Sequence, residues 1–152
     1  MTNHQVFLGL GSNLGNREQC LAEAIRLISE RVGEVTRQSS FIETEPWGFQ
    51  SEHPFLNAVV LCETSKTPRE VLQLTQQIER DLGKTKAHAT ERSPHSSFFI
   101  FHSSFYKDRP IDIDILLYDD LTIDEPDLKI PHPLMHQRDF VMIPLRQITN
   151  KY

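Results

Sequence analysis

The sequence predicts an α+β fold: a ferredoxin-like βαββαβ core whose antiparallel sheet carries two helices on one face, plus a C-terminal appendage. Three observations predict it. Residues 5–11, 34–45, 55–62 and 110–118 have strand character. Two intervening segments repeat apolar residues at helical spacing. Their order along the chain is strand, helix, strand, strand, helix, strand.

The first strand, 5–11, ends in glycines, and 12–16 reads as a turn. Asn16 followed by Gln19 is a capping pair that opens a helix. Leu21, Ala24, Ile25 and Ile28 then recur on one helix face, and Gly33 stops it. Residues 34–45 look extended until Pro46-Trp47-Gly48 breaks them. The strand over 55–62 is apolar on both faces except for Asn57. Thr67, Pro68 and Glu70 form a strong helix start, with Thr as N-cap, Pro first and Glu third. Val71, Leu74, Thr75, Ile78 and Leu82 follow, and Gly83 is expected to close this second helix. Residues 84–108 show no clear period and read as a long loop, functional or disordered; its Phe cluster could instead form an extra hairpin. In the strand over 110–118, Ile111, Ile113, Ile115 and Leu117 take one face and Asp112 and Asp114 the other. Residues 121–123 suggest a short added strand, 131–133 end an irregular stretch, and 140–143 are apolar again.

The chain has 152 residues, which suits one domain over 1–152 with one sizeable core. Lys and Arg number 16 against 21 Asp and Glu, a net charge of −5, with a pI near 5.8. That balance argues against a broad basic face for nucleic acid but allows a locally basic pocket. No apolar run approaches the ~20 residues of a membrane span. The first residues lack the basic and apolar regions of a secretory signal. Cys20 and Cys62 sit in apolar-periodic segments without CxxC spacing and read as buried free thiols of a reducing cytosol. No internal repeat stands out.

Two carboxylates two apart on a strand project to one side and repel each other unless a cation compensates. Oxygen-only ligands point to Mg²⁺, which bridges carboxylates to substrate phosphates; the plainer alternative is a solvated strand face. Arg109 enters this strand, and Lys84, Lys86, Arg92 and Lys107 lie on the loop leading to it. Paired carboxylates beside local positive charge are what phosphoryl-type transfer needs. No GxxxxGK[ST] occurs, so the chain is not a P-loop enzyme. Gly9-x-Gly11 lacks the third glycine of a dinucleotide site and reads as turn chemistry. His132 lies between two prolines and Arg138 follows, each as well explained by structure or surface. Asn57 needs a hydrogen-bonding partner if buried, and could read the polar edge of a flat heterocycle. Trp47, Phe55 and Phe140 are core by default.

Gly9-Leu-Gly-Ser-Asn-Leu-Gly15, Phe55-Leu-Asn57-Ala, Gln76-x-x-Glu79, Arg109-Pro-Ile-Asp112-Ile-Asp114 and Pro131-His132-Pro with Arg138-x-Phe140 stand in this order. Together they resemble the 6-hydroxymethyl-7,8-dihydropterin pyrophosphokinases of folate biosynthesis, from about residue 5 to residue 146. The resemblance implies transfer of the diphosphate of MgATP to the pterin hydroxymethyl group, releasing AMP. It implies that Asp112 and Asp114 hold two Mg²⁺ ions, and that Arg109, Lys84, Lys86, His132 and Arg138 handle phosphates. Gln76 and Glu79 match the nucleotide side, Ile115 and Leu128 the adenine, and Tyr106 an aromatic on a mobile loop. Thr44, Trp47, Phe55, Asn57 and Phe140 match the pterin pocket, with Phe55 and Phe140 sandwiching the ring. Lysines at 84 and 86 replace the family's usual arginines, and 87–105 is longer than usual. The expected protein is a cytoplasmic monomer with small-molecule partners and neither nucleic acid nor membrane.

Two rivals share the predicted topology. An RNA-binding module would need strand aromatics and a basic face. An acylphosphatase-like or ligand-sensing domain predicts neither Mg²⁺ dependence nor AMP release.

Overall fold

The structure is a computed structural model that describes residues 3–44, 54–87 and 110–151. In chain order it comprises β1 (His4–Ser12), α1 (Arg17–Arg31), β2 (Glu34–Gln38), β3 (Ile42–Thr44), β4 (Phe55–Thr64) and α2 (Pro68–Ala87). These are followed by β5 (Asp112–Tyr118), β6 (Ile123–Glu125), β7 (Leu128–Ile130), a 3-10 turn (Met135–Gln137) and α3 (Asp139–Ile148).

The local signals act as their chemistry dictates. Gly15 adopts φ 68°, the left-handed conformation that glycine reaches without steric cost, and turns the chain from β1 into α1. The Asn16 side chain accepts from the Gln19 N–H at 3.1 Å and caps α1. At α2, the Glu70 N–H donates to Thr67 Oγ1 at 3.1 Å and the Thr67 N–H donates to Glu70 Oε1 at 2.8 Å. That reciprocal pair satisfies two donors which the first helical turn would otherwise leave unbonded.

The main sheet is antiparallel and runs β2-β4-β1-β5, with β3 pairing β4 as a fifth strand. Neighbouring residues of β1 and β4 feed opposite cores. Val6, Leu8 and Leu10 of β1 pack with Leu21 and Ile28 of α1 and Val71 and Ile78 of α2. Phe7 of β1 and Val59 and Leu61 of β4 pack instead with Val141, Met142, Leu145 and Ile148 of α3. The predicted appendage is thus a helix that covers the second face. Among the described residues no helix is long and apolar enough to cross a membrane.

Four local expectations need correction, and the apolar run at 140–143 gains an element. Gly83 does not end α2, which runs on to Ala87. An added Cβ there would meet nothing within 4 Å, and one interior glycine costs a helix only about 1 kcal/mol. Lys84 and Lys86 therefore lie on the last turns of a helix, not on a loop. Leu117 leaves the face of Ile113 and Ile115, because β5 shifts register against β1 between Phe7 and Leu8; such a bulge adds one residue and swaps the faces beyond it. Residues 128–130, expected to be irregular, form β7, which pairs with β6. The apolar run at 140–143 is helical even though Pro144 follows inside α3. There the burial of Val141, Leu145 and Ile148 outweighs the one backbone bond that proline removes. The fourth correction concerns Gly9 and Gly11. The hairpin considered for the Phe cluster at 96–105 lies outside the described residues.

Candidate functional site

Asp112 and Asp114 project from β5 onto the α3 side of the sheet, since Ile113 and Ile115 between and after them enter the other core. In register, Asp112 pairs with Gly11 and Asp114 with Gly9 of β1. Across β1, Gly11 pairs with Asn57 and Gly9 with Val59 of β4. Asn57 in turn pairs with Ile42, and Phe55 with Thr44, of β3. One row thus runs Asn57, Gly11, Asp112 over three strands. At ~4.8 Å per strand, the backbones at its two ends stand roughly 10 Å apart. Between them lies a strip at Gly9 and Gly11 with no side chains of its own, covered by Leu116 over Gly9 and by Asn57 and Phe55 over Gly11.

That strip corrects the reading of Gly9-x-Gly11 as turn chemistry. Both residues lie inside β1, and at Gly11 the requirement is space. An added Cβ would stand 3.0 Å from Asn57 Oδ1 and 3.4 Å from Phe55 Cδ1. The carboxamide and the ring therefore lean over Gly11.

Asn57 is only 3% exposed. Its Nδ2 donates to Thr44 Oγ1 at 2.7 Å and to the Ile42 carbonyl at 3.4 Å. With both N–H groups directed at β3, the carbonyl Oδ1 faces the glycine strip as an acceptor. A buried polar residue in an apolar strand is thereby satisfied on one side and left directional on the other.

Among the described residues β5 is a sheet edge, and two contacts lie on its outer side. The Ile113 N–H, between the two aspartates, donates to Glu79 Oε2 of α2 at 2.7 Å. The Leu116 carbonyl accepts from the His132 N–H at 3.0 Å. His132 Nδ1 accepts from the Leu134 N–H at 3.3 Å, which puts the neutral ring's own proton on Nε2. Burial holds the His132 pKa below its ordinary value, the positive charge of Arg138 adds to this, and Asp112 opposes it. Arg138 stands just before α3 with its guanidinium carbon 5.5 Å from the centre of the Phe140 ring, within cation–π range. Phe140 packs against the α3-side core.

Ile115 and Leu128 share the other core and are each 6% exposed. Gln76 is exposed on α2, one turn before Glu79. Trp47, Tyr106, Arg109 and the loop cations Arg92 and Lys107 lie outside the described residues. Sequence reasoning missed Gly11. Its signal was two glycines two apart on a strand, which must share a face.

Two adjacent carboxylates form a hard, oxygen-only donor set, which fits Mg²⁺. Among the described residues no group of three or more His, Cys, Asp or Glu side chains could enclose a metal. An ion on Asp112 and Asp114 would thus fill its shell with water and ligand oxygens, as Mg²⁺ does at phosphate sites.

A family model for 7,8-dihydro-6-hydroxymethylpterin-pyrophosphokinase (HPPK) matches residues 7–150. A 2-amino-4-hydroxy-6-hydroxymethyldihydropteridine pyrophosphokinase of Porphyromonas gingivalis is 46% identical over 145 residues, covering 95% of this chain and 90% of that protein. The enzyme so named from Bacillus subtilis is 37% identical over 150 residues, covering 98% and 80%. Among solved structures, HPPK-DHPS in complex with substrates aligns with a TM-score of 0.65 at 14% identity, covering 97% of this chain and 40% of that one. Plasmodium falciparum HPPK-DHPS wild type with SDX-DHP aligns with a TM-score of 0.67 at 17% identity, covering 99% and 40%. The two structures share the fold, and the chain spans about two fifths of their length. With a family model matching nearly its whole length and a 46% identical full-length relative, the chain belongs to the 7,8-dihydro-6-hydroxymethylpterin-pyrophosphokinase family.

Proposed function

We propose that the chain transfers the β,γ-diphosphate of ATP to the hydroxymethyl oxygen of 6-hydroxymethyl-7,8-dihydropterin, yielding the pterin diphosphate and AMP. It is a pyrophosphokinase, a transferase of folate biosynthesis that uses ATP as co-substrate. The observation that carries the reading is the row Asn57, Gly11, Asp112. A directional acceptor and a carboxylate pair face one side of the sheet, their backbones roughly 10 Å apart across Gly11.

In this reading Asn57 Oδ1 accepts from the pterin edge, and Phe55 and Phe140 sandwich the ring, with Thr44 and Trp47 completing the pocket. Asp112 and Asp114 hold two Mg²⁺ ions, which when bound neutralise the phosphate oxygens and the charge that develops in transfer. Arg109, Lys84, Lys86 and Arg138 contribute positive charge to the phosphates, and neutral His132 donates from Nε2. Gln76, Glu79 and Tyr106 serve the nucleotide, with Ile115 and Leu128 as apolar contacts for the adenine. The hydroxyl oxygen bonds the β-phosphorus as the bond to the α-phosphate bridging oxygen breaks; AMP leaves with that oxygen, and the hydroxyl proton passes to solvent. A loose transition state demands little deprotonation of the hydroxyl, so positioning outweighs general-base help.

The strand order β2-β4-β1-β5 with helices α1 and α2 on one face supports assigning the core to the ferredoxin-like arrangement. One catalytic domain over 1–152, acting in the cytoplasm as a monomer on small molecules, completes the proposal. The net charge of −5 supports excluding nucleic acid as a partner.

Product analysis tests the reading. Incubation with ATP, Mg²⁺ and the reduced hydroxymethylpterin yields AMP mole for mole with pterin diphosphate. ADP as the nucleotide product, or no pterin-dependent turnover, would contradict it.

A further inference from the structure

Arg17 is the first residue of α1, yet its side chain reaches two strands. Its Nη1 donates to the Pro54 carbonyl at 2.8 Å. Its Nη2 lies 2.7 Å from Glu43 Oε2. Pro54 directly precedes β4, and Glu43 is the middle residue of β3. One guanidinium thus clasps both strands at the end where Thr44, Phe55 and Asn57 meet. A planar fork of donors suits two partners on different segments, which the point charge of a lysine does not.

β3 is three residues long and pairs only as Ile42 to Asn57, Glu43 to Leu56 and Thr44 to Phe55. A ladder that short defines its register weakly, and a slip of one residue reverses which side chains face the site. The Asn57 carboxamide depends on this strand for both of its N–H acceptors, Thr44 Oγ1 and the Ile42 carbonyl. Whatever fixes β3 fixes the direction of Oδ1. The clasp is itself partly exposed, at 30% for Arg17 and 55% for Glu43, so its contribution to global stability is small. Its effect is local to this end of the sheet.

We propose that Arg17 is a positioning residue for the ring-binding half of the site, acting through β3 on Asn57 and not on the carboxylate half across β1. This rests on the reading of Phe55 and Asn57 as the pterin pocket.

Calorimetric titration of the full chain tests it, using wild type, Arg17→Gln, Arg17→Lys, Asn57→Ala and the Arg17→Gln, Asn57→Ala pair. Each is titrated with Mg²⁺ and a non-hydrolysable ATP analogue, then with the hydroxymethylpterin at saturating analogue. Arg17→Gln raises the pterin Kd roughly fivefold or more and leaves the analogue Kd within about twofold, consistent with the loss of a single well-placed polar contact. Arg17→Lys falls between, and Arg17→Gln adds less than about twofold on top of Asn57→Ala, because both act on one group. An unchanged pterin Kd, an equal loss for both ligands, or full additivity with Asn57→Ala would overturn the inference. If Arg17→Gln fails to fold, Glu43→Gln removes the ionic half of the clasp and the same contrast is read from it. If wild type itself does not bind the pterin, the pocket reading falls and this inference with it; if only the Arg17 contrast is missing, the pocket stands.

Discussion

Glu79 on α2 accepts the backbone N–H of Ile113, the residue between Asp112 and Asp114, at 2.7 Å. An edge strand presents unpaired amides on its outer side, and here a helix carboxylate takes the one that lies within the acidic pair. The bond ties α2 to the backbone from which both aspartates project. Glu79→Ala lowers kcat roughly tenfold, the ~1.4 kcal/mol upper range for one hydrogen bond. Glu79→Gln, which keeps an acceptor oxygen, recovers most of it. Steady-state kinetics of the two variants decide, and equal losses in both would assign the effect to charge instead.

Gly11 has no room for a side chain beside Asn57 Oδ1 and Phe55. Gly11→Ala therefore displaces the carboxamide or the ring by a few tenths of an ångström. Pterin KM rises about tenfold or more, while ATP KM holds and the thermal midpoint falls by only a few degrees. Unaltered pterin KM would show that the strip is not where the ring lies.

His132 is disfavoured as an imidazolium by burial and by Arg138. Its folded pKa lies below its ordinary 6.5, so as the pH falls the unfolded chain takes up a proton first and unfolding gains. This contribution leaves stability intact above pH 6.5 and lowers it progressively as the pH drops from there toward the folded pKa. Urea midpoints measured at neutral pH and near pH 5 should differ more in wild type than in His132→Asn. The same difference in both would place the titration elsewhere.

The thiol of Cys62 is fully buried, and burial, with Glu63 adding, pushes its pKa up to about 12. Cys20 is also buried and free. Only thiolate reacts, so a thiol-exchange dye at pH 8 labels neither cysteine in the native state and both after denaturation. Rapid labelling of the native protein would show that α1 or β4 opens locally.

What the sequence made legible was chemistry acting over a few residues. The Asn16 and Thr67–Glu70 caps are such cases, as is the common face of Asp112 and Asp114, because side-chain reach and strand period settle them locally. What stayed hidden depends on partners far along the chain. The bulge that turns Leu117 away is set by its pairing with Phe7. The continuation of α2 past Gly83 runs against that residue's own propensity. Gly11 reads as a turn until Asn57 and Phe55, over 40 positions on, are seen above it. Arg17 looks like an ordinary first-turn residue until β3 and Pro54 come within its reach.

The dependence of turnover on free magnesium, followed as AMP release from ATP and the hydroxymethylpterin, probes the carboxylate pair most directly. Wild type loses activity with chelator and regains it on adding Mg²⁺, while Asp114→Ala turns over roughly 100-fold more slowly or worse and needs more metal for what remains. Turnover that persists in chelator, or an Asp114→Ala protein with wild-type magnesium dependence and rate, would contradict a metal site at positions 112 and 114.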